Sequence, residues 1–185
     1  MPSVPTSGSV PPPPPVWDAR PPETVRRYAG FWLRVVAAII DAVALAILWQ
    51  IISLVFPAPP PPPEEADYRA ILEYMTALMS PDKVVSYAVL VWAYFVFQET
   101  SSAQATVGKR LMGIRVSTAD GARLNLLAAT IRAWPIYLPT LASIGGYGLS
   151  GVVWLLAVIS CLVVAFSVRK QGLHDKMAGA ILTRA

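Results

Sequence analysis

The sequence predicts an all-α membrane protein: a bundle of about four transmembrane helices with a short cytoplasmic β-hairpin between the second and third. Three observations predict it. Of the 185 residues, 55% are apolar and 14% charged, with a mean hydropathy of +0.53. A soluble domain averages about 45–50% apolar and about 25% charged. Four apolar segments each approach the roughly 20 residues that a helix needs to cross a bilayer. The basic residues cluster on one side of those segments, as the positive-inside rule requires of a multi-pass protein.

Residues 1–28 are read as a disordered cytoplasmic tail. Nine prolines stand in the first 27 positions, including the run Pro11 to Pro15, and such a stretch favours extended polyproline over a packed core. No apolar segment follows a basic start, so it does not read as a signal peptide. Residues 29–185 are read as the membrane domain.

The first span covers about 32–56. Its run from Val35 to Phe56 carries one charge, Asp41, and one amide, Gln50, and extends about 33 Å as a helix. Pro57 ends it. A second proline run, Pro59 to Pro63, leads into residues 66–80, where Ile71, Met75, Leu78 and Met79 recur at helical spacing. That pattern predicts a short amphipathic helix at the membrane surface. The second span covers 81–100, with Pro81 at a helix start and Tyr87, Trp92, Tyr94, Phe95 and Phe97 toward one end, as in an interfacial belt. Within the polar stretch Glu99 to Asn125, Ile114 to Thr118 alternates like a strand, and Asp120-Gly121 supplies a hairpin turn. The third span, 124–141, contains Arg132, Pro135 and Pro139, which predict a kink or tilt. A glycine-rich connection leads to the fourth span, 147–168. The tail beyond carries a short strand pattern at Ala180 to Thr183.

Thirteen of the fifteen Lys and Arg residues fall before span one, between spans two and three with Arg132, or after span four; only Arg69 and Lys83 lie between spans one and two, with five acids. The rule then places both termini and the 99–123 loop in the cytoplasm. This placement explains the basic character through anionic inner-leaflet lipids, without nucleic acid.

Asp41 is the one carboxylate read as intramembrane. It lies about 15 Å into span one, where an ionised side chain costs about 2.5–3.5 kcal/mol on insertion scales. It therefore needs a partner, a proton or a wet cavity. Arg34, two turns earlier, is about 10 Å away along the axis, so direct pairing is not expected. Arg132 is the candidate partner. Ala38, Ala42 and Ala46 form a small-residue face beside this stripe. Lys109, Arg110, Arg115, Arg132 and His174 are candidate contacts for a partner or a lipid headgroup. Asp175 is expected to bind a loop amide or an arginine such as Arg110 or Arg115.

Several chemistries are set aside. One cysteine and one histidine do not supply the three or four ligands of a zinc site, and no cofactor is expected. Cys161 sits in an apolar run and reads as a packing residue. Gly108-Lys109-Arg110 fails as a phosphate loop: Ala103 stands where glycine is needed and Arg110 where Ser or Thr would hold magnesium. No nucleophile with a base, metal set or carboxylate pair is visible, so no enzyme is expected.

Three segments together resemble a known family: Ala29-Gly30-Phe31-Trp32-Leu33-Arg34 leading to Ile40-Asp41; Ala105-Thr106-Val107-Gly108-Lys109-Arg110-Leu111-Met112-Gly113-Ile114-Arg115-Val116; and Arg169-Lys170-Gln171-Gly172-Leu173-His174-Asp175-Lys176-Met177-Ala178-Gly179. Their order and wording resemble the RDD family of bacterial membrane proteins, named for one arginine and two aspartates. Arg34, Asp41 and Asp175 match those three. The resemblance covers about residues 29–185, outside the proline-rich tail and the 57–82 loop. It implies small-solute transport, or cation/proton exchange using Asp41. The alternative is an adaptor or assembly partner that binds another membrane protein, or a second copy, through the Arg34/Asp41 helix face.

Overall fold

The computed structural model describes residues 27–184; the tail read as disordered falls almost wholly outside them. Helix α1 spans Phe31–Ser53. After the second proline run, Asp67 caps α2, Tyr68–Leu78, by accepting from the Ala70 amide at 2.8 Å. Helix α3 spans Pro81–Thr100, and the short α4 spans Val107–Leu111. Strand β1 is Ile114–Thr118, and α5 is Leu126–Ala142, capped by the Asn125 side chain. A 3-10 turn leads to α6, Tyr147–Phe166; the short α7, Leu173–Met177, and β2, Ala180–Arg184, complete the chain.

Two helices, α1 and α6, are long and apolar enough to cross a membrane, and only 17% of the most apolar window of each is buried within the chain. Their outward residues, among them Ile39, Val43, Ile47, Leu155 and Leu162, are large, apolar and exposed. A surface of this kind suits lipid as the surrounding phase. Helix α5 lies between α3 and α6. It carries Pro135 and Pro139 in its interior, and neighbouring helices tolerate such prolines because they cover the freed backbone groups. Trp92 of α3 donates to the Thr130 hydroxyl of α5 at 3.1 Å. In the other half of the bundle, Trp49 of α1 meets Tyr87 of α3 edge to face at 5.1 Å. The α3 aromatics are thus partly internal joints, not wholly an interfacial belt.

The expected hairpin is corrected in its connectivity. The strand and the turn after it form as read, with Gly121 at φ +89°. The partner strand, however, is β2 from the C terminus, antiparallel, with Arg115 opposite Thr183 and Val116 opposite Leu182. Tyr28 adds a bridge on the far side of β2. The inward face of the ribbon is Ile114, Val116 and Leu182, each nearly fully buried, joined to a core with Ala37, Phe95, Ala129 and Ala133. Burial on one face pins the register, because a slip of one residue would turn that face outward.

An internal repeat organises this architecture. Units α3-α4-β1 and α6-α7-β2 begin at Pro81, Val107 and Ile114 and at Tyr147, Leu173 and Ala180, and every pair is 66 residues apart (147 less 81). In each unit the short helix ends in a left-handed glycine, Gly113 at φ +62° and Gly179 at φ +63°. Glycine adopts that conformation without the Cβ penalty and turns the chain from helix into strand. The two strands then pair with each other, and α5 runs between the two long helices.

Candidate functional site

Where the short helices meet the long ones, six ionisable side chains gather. Asp41 lies on the buried stripe of α1 with Ala37 and Leu45. The N-terminus of α4 docks against it. The Gly108 amide donates to Asp41 Oδ1 at 2.7 Å, the Thr106 hydroxyl to Oδ2 at 2.6 Å, and the Tyr94 hydroxyl of α3 to Oδ1 at 2.7 Å. The approach needs glycine at 108: an added Cβ would lie 2.1 Å from the Ala37 carbonyl oxygen. Asp41 is 1% exposed and forms no ion pair among the described residues. Arg132 is therefore not its partner, which corrects the sequence-based expectation.

Arg132 has other partners. Its Nη1 donates to both oxygens of Glu99, and its Nε to Asp175 Oδ1 at 2.9 Å. Glu99 also accepts from Lys109, and Asp175 Oδ2 accepts from Arg34 Nη1 at 2.6 Å. The result is an alternating chain: Arg34, Asp175, Arg132, Glu99, Lys109. With Asp41, three basic and three acidic side chains make up the buried set. Burial of unpaired charge is prohibitive, and pairing with further hydrogen bonds is what makes such a cluster tolerable.

Glu99 is the residue that sequence reasoning missed. It stood at the border of span two and the polar loop and was read with the loop; it is fully buried. A signal was available. An acid in the last turn of a helix opposes the macrodipole, and Glu99 sits there in α3. Asp175 accepts the Gly172 amide at 3.1 Å, the loop-amide role expected of it. Its arginines are Arg34 and Arg132, not Arg110 or Arg115, both of which are exposed. Burial opposes ionisation of Asp175, but Arg132, His174 and Arg34 outweigh it and hold the carboxyl well below the usual carboxylate range.

His174 precedes Asp175 in α7. Burial pushes its imidazole down to about 4, against the attraction of Asp175. Its backbone amide donates to the Ser160 hydroxyl at 3.0 Å, and its Nδ1 lies 2.9 Å from the same oxygen. Ser160 is fully buried in α6 and clamps α7 to that helix. Lys109 is pushed below its ordinary value by burial, an effect partly offset by Glu99.

A cavity of about 190 Å³ lies beside the cluster, lined by Asp41, Arg34, Lys109, Arg132 and His174, and by apolar residues of α1, α5 and α6, including Cys161. Of the sequence-predicted residues, the fold brings together Arg34, Asp41, Lys109, Arg132, His174 and Asp175. It leaves Arg110 and Arg115 outside. No group of three metal-ligating residues occurs among the described residues.

A family model described as the RDD family matches residues 28–179. Two Bacillus subtilis proteins are similar to the chain. The uncharacterized protein YxaI is 29% identical over 155 residues, covering 80% of this chain and 91% of its own. The uncharacterized protein YckC is 24% identical over 160 residues, covering 85% of each. No solved structure matches. The matched segment contains all six residues of the charged cluster.

Proposed function

The chain belongs to the RDD family of membrane proteins, and on that premise we propose that it is a non-enzymatic transporter of protons with a cation or other small solute, with Asp41 as the relay. It crosses the bacterial inner membrane four times, through α1, α3, α5 and α6, with both termini cytoplasmic. The observation that carries this reading is the cavity beside Asp41. Charged groups within membrane segments that face an internal space, not lipid, mark an ion or solute path. The partners of Asp41 support the same role. Two of the three are hydroxyls, from Tyr94 and Thr106, and a hydroxyl can turn from donor to acceptor. Asp41 can therefore take up a proton on Oδ2 while Thr106 reverses, with the Gly108 amide still in place on Oδ1.

The test is proton flux in proteoliposomes after Na⁺, K⁺ or Li⁺ pulses, on the wild type and Asp41→Asn at matched incorporation and folding. Cation-dependent flux that the substitution abolishes supports the relay. Absence of flux in both proteins overturns it.

A second reading, adaptor or assembly partner, has its own support. Arg34 and Asp41 are engaged internally, so that face is not offered to a partner. The neighbouring stripe Ala38, Ala42 and Ala46 is exposed along α1, and small residues let another helix approach closely. Loss of a co-purifying membrane protein on Ala42→Leu, without flux in the wild type, selects this reading.

A further inference from the structure

The β1-β2 ribbon has a second face, and its chemistry differs from the cluster beneath. Along the strands, Ile114, Val116 and Leu182 point into the core, while Arg115, Ser117, Ile181 and Thr183 alternate to the other side, where Ser117 and Ile181 are buried and Arg115 is exposed. That side forms the floor of a hollow of about 750 Å³, lined also by Gln104, Arg27 and Arg184. Arg27 is fixed at the ribbon edge, where its carbonyl accepts the Arg184 amide at 2.8 Å.

Arg27, Arg115 and Arg184 thus all line one hollow, Arg115 from the strand face and Arg27 and Arg184 from the end of the ribbon. Among the described residues no carboxylate lines the hollow, and none of these three arginines is in an ion pair. The contrast with the buried cluster is sharp: there every cation has a carboxylate partner, and here, among the described residues, none does. The hydroxyls of Ser117 and Thr183 make no hydrogen bond within the described residues, although Thr183 stands directly across from Arg115. Gln104 holds the outer edge of β1, its amide nitrogen donating to the Val116 and Ala122 carbonyls and so bracing one wall. The surface therefore offers a surplus of donors and of positive charge, with a rigid floor.

Among the described residues these like charges have no counter-charge, and the species that relieves their mutual repulsion is an anion. Planar guanidinium forks match phosphate oxygens bidentately, and hydroxyls complete the coordination as neutral donors. The volume exceeds that of one phosphate group and falls within the range of small-molecule sites, about 300–1,000 Å³.

We propose that the hollow on the outer face of the β1-β2 ribbon binds a phosphate-bearing anion through Arg27, Arg115 and Arg184, with Ser117 and Thr183 as hydroxyl donors. The ligand class is a molecule or headgroup that carries at least two negative charges on phosphate. It is independent of transport through the Asp41 cavity, since the ribbon's core face separates the two.

The experiment uses the full chain in phosphatidylcholine nanodiscs at physiological salt. In one arm inorganic pyrophosphate is titrated by calorimetry. In the other, the nanodiscs contain phosphatidic acid, and bound lipid is counted by native mass spectrometry. Each arm compares the wild type with Arg115→Gln, with Arg184→Gln and with Arg110→Gln, an exposed arginine outside the hollow. The expected result is saturable binding in at least one arm, weakened about tenfold or more by Arg115→Gln and Arg184→Gln, with Arg110→Gln unchanged. Pyrophosphate binding identifies a soluble source, and phosphatidic acid retention alone a lipid source. No saturable binding in either arm, or equal weakening by Arg110→Gln, overturns the site. Thermal melting of each variant separates loss of binding from loss of fold.

Discussion

Lys109 and Asp175 occupy the same place in the two repeats, the third residue of α4 and of α7, and carry opposite charges. Each turns inward to the buried cluster, Lys109 to Glu99 and Asp175 to Arg132 and Arg34. A duplicated backbone has thus been filled with complementary side chains, and Arg132 of α5 joins the two halves.

The two positions differ in how many charges depend on them. Asp175→Asn leaves Arg34 and Arg132 short of a carboxylate in a buried site, and breaking a buried pair costs about 3–5 kcal/mol. Lys109→Met leaves Glu99 with both oxygens on Arg132 and is expected to cost less, since no buried charge is then left without an opposite partner. Thermal unfolding in detergent checks the order; equal losses would show that the alternating chain is not the source of stability.

Gly108 gives a steric prediction. Gly108→Ala puts a methyl group 2.1 Å from the Ala37 carbonyl oxygen and 2.9 Å from Asp41 Cγ, so α4 must back away and its amide leaves Asp41. Overpacking of this kind costs about 1–3 kcal/mol. Hydrogen exchange at residues 106–111 should rise in this variant, while exchange in α7 stays unchanged.

Acid should destabilise the packing of α7 in a defined window. His174 has an ordinary value of 6.5 and is held at about 4 in the fold. Between those values the unfolded chain binds the extra proton, so stability rises with pH there and is lost as pH falls. Asp175, also held below its ordinary value of 3.8, adds a loss in the same direction at lower pH. His174→Asn should flatten the dependence between pH 6.5 and 4 and leave the lower limb. Melting temperatures across that range provide the check.

Topology is tested with single cysteines in a Cys161→Ser background. In intact cells an impermeant maleimide should label Glu64→Cys and leave Arg123→Cys and Arg169→Cys unlabelled until the membrane is opened. Labelling of residue 169 in intact cells would reverse the assigned orientation.

The sequence by itself determined the long helices, the kinking prolines of α5, the strand at Ile114 to Thr118 and the three motif segments. These are legible because membrane insertion and helix or strand periodicity depend on residues near one another in the chain. Tertiary structure alone decided who pairs with whom. Arg34 and Asp175 are 141 residues apart, and with several arginines and acids to hand no local rule selects that pair. The same holds for β1, whose turn was read correctly and whose partner lay at the other end of the domain. Glu99 shows the limit most clearly. A border position between an apolar helix and a polar loop has the same composition whether its carboxylate faces water or two buried cations, and only the arrival of Lys109 from α4 and Arg132 from α5 decides between them.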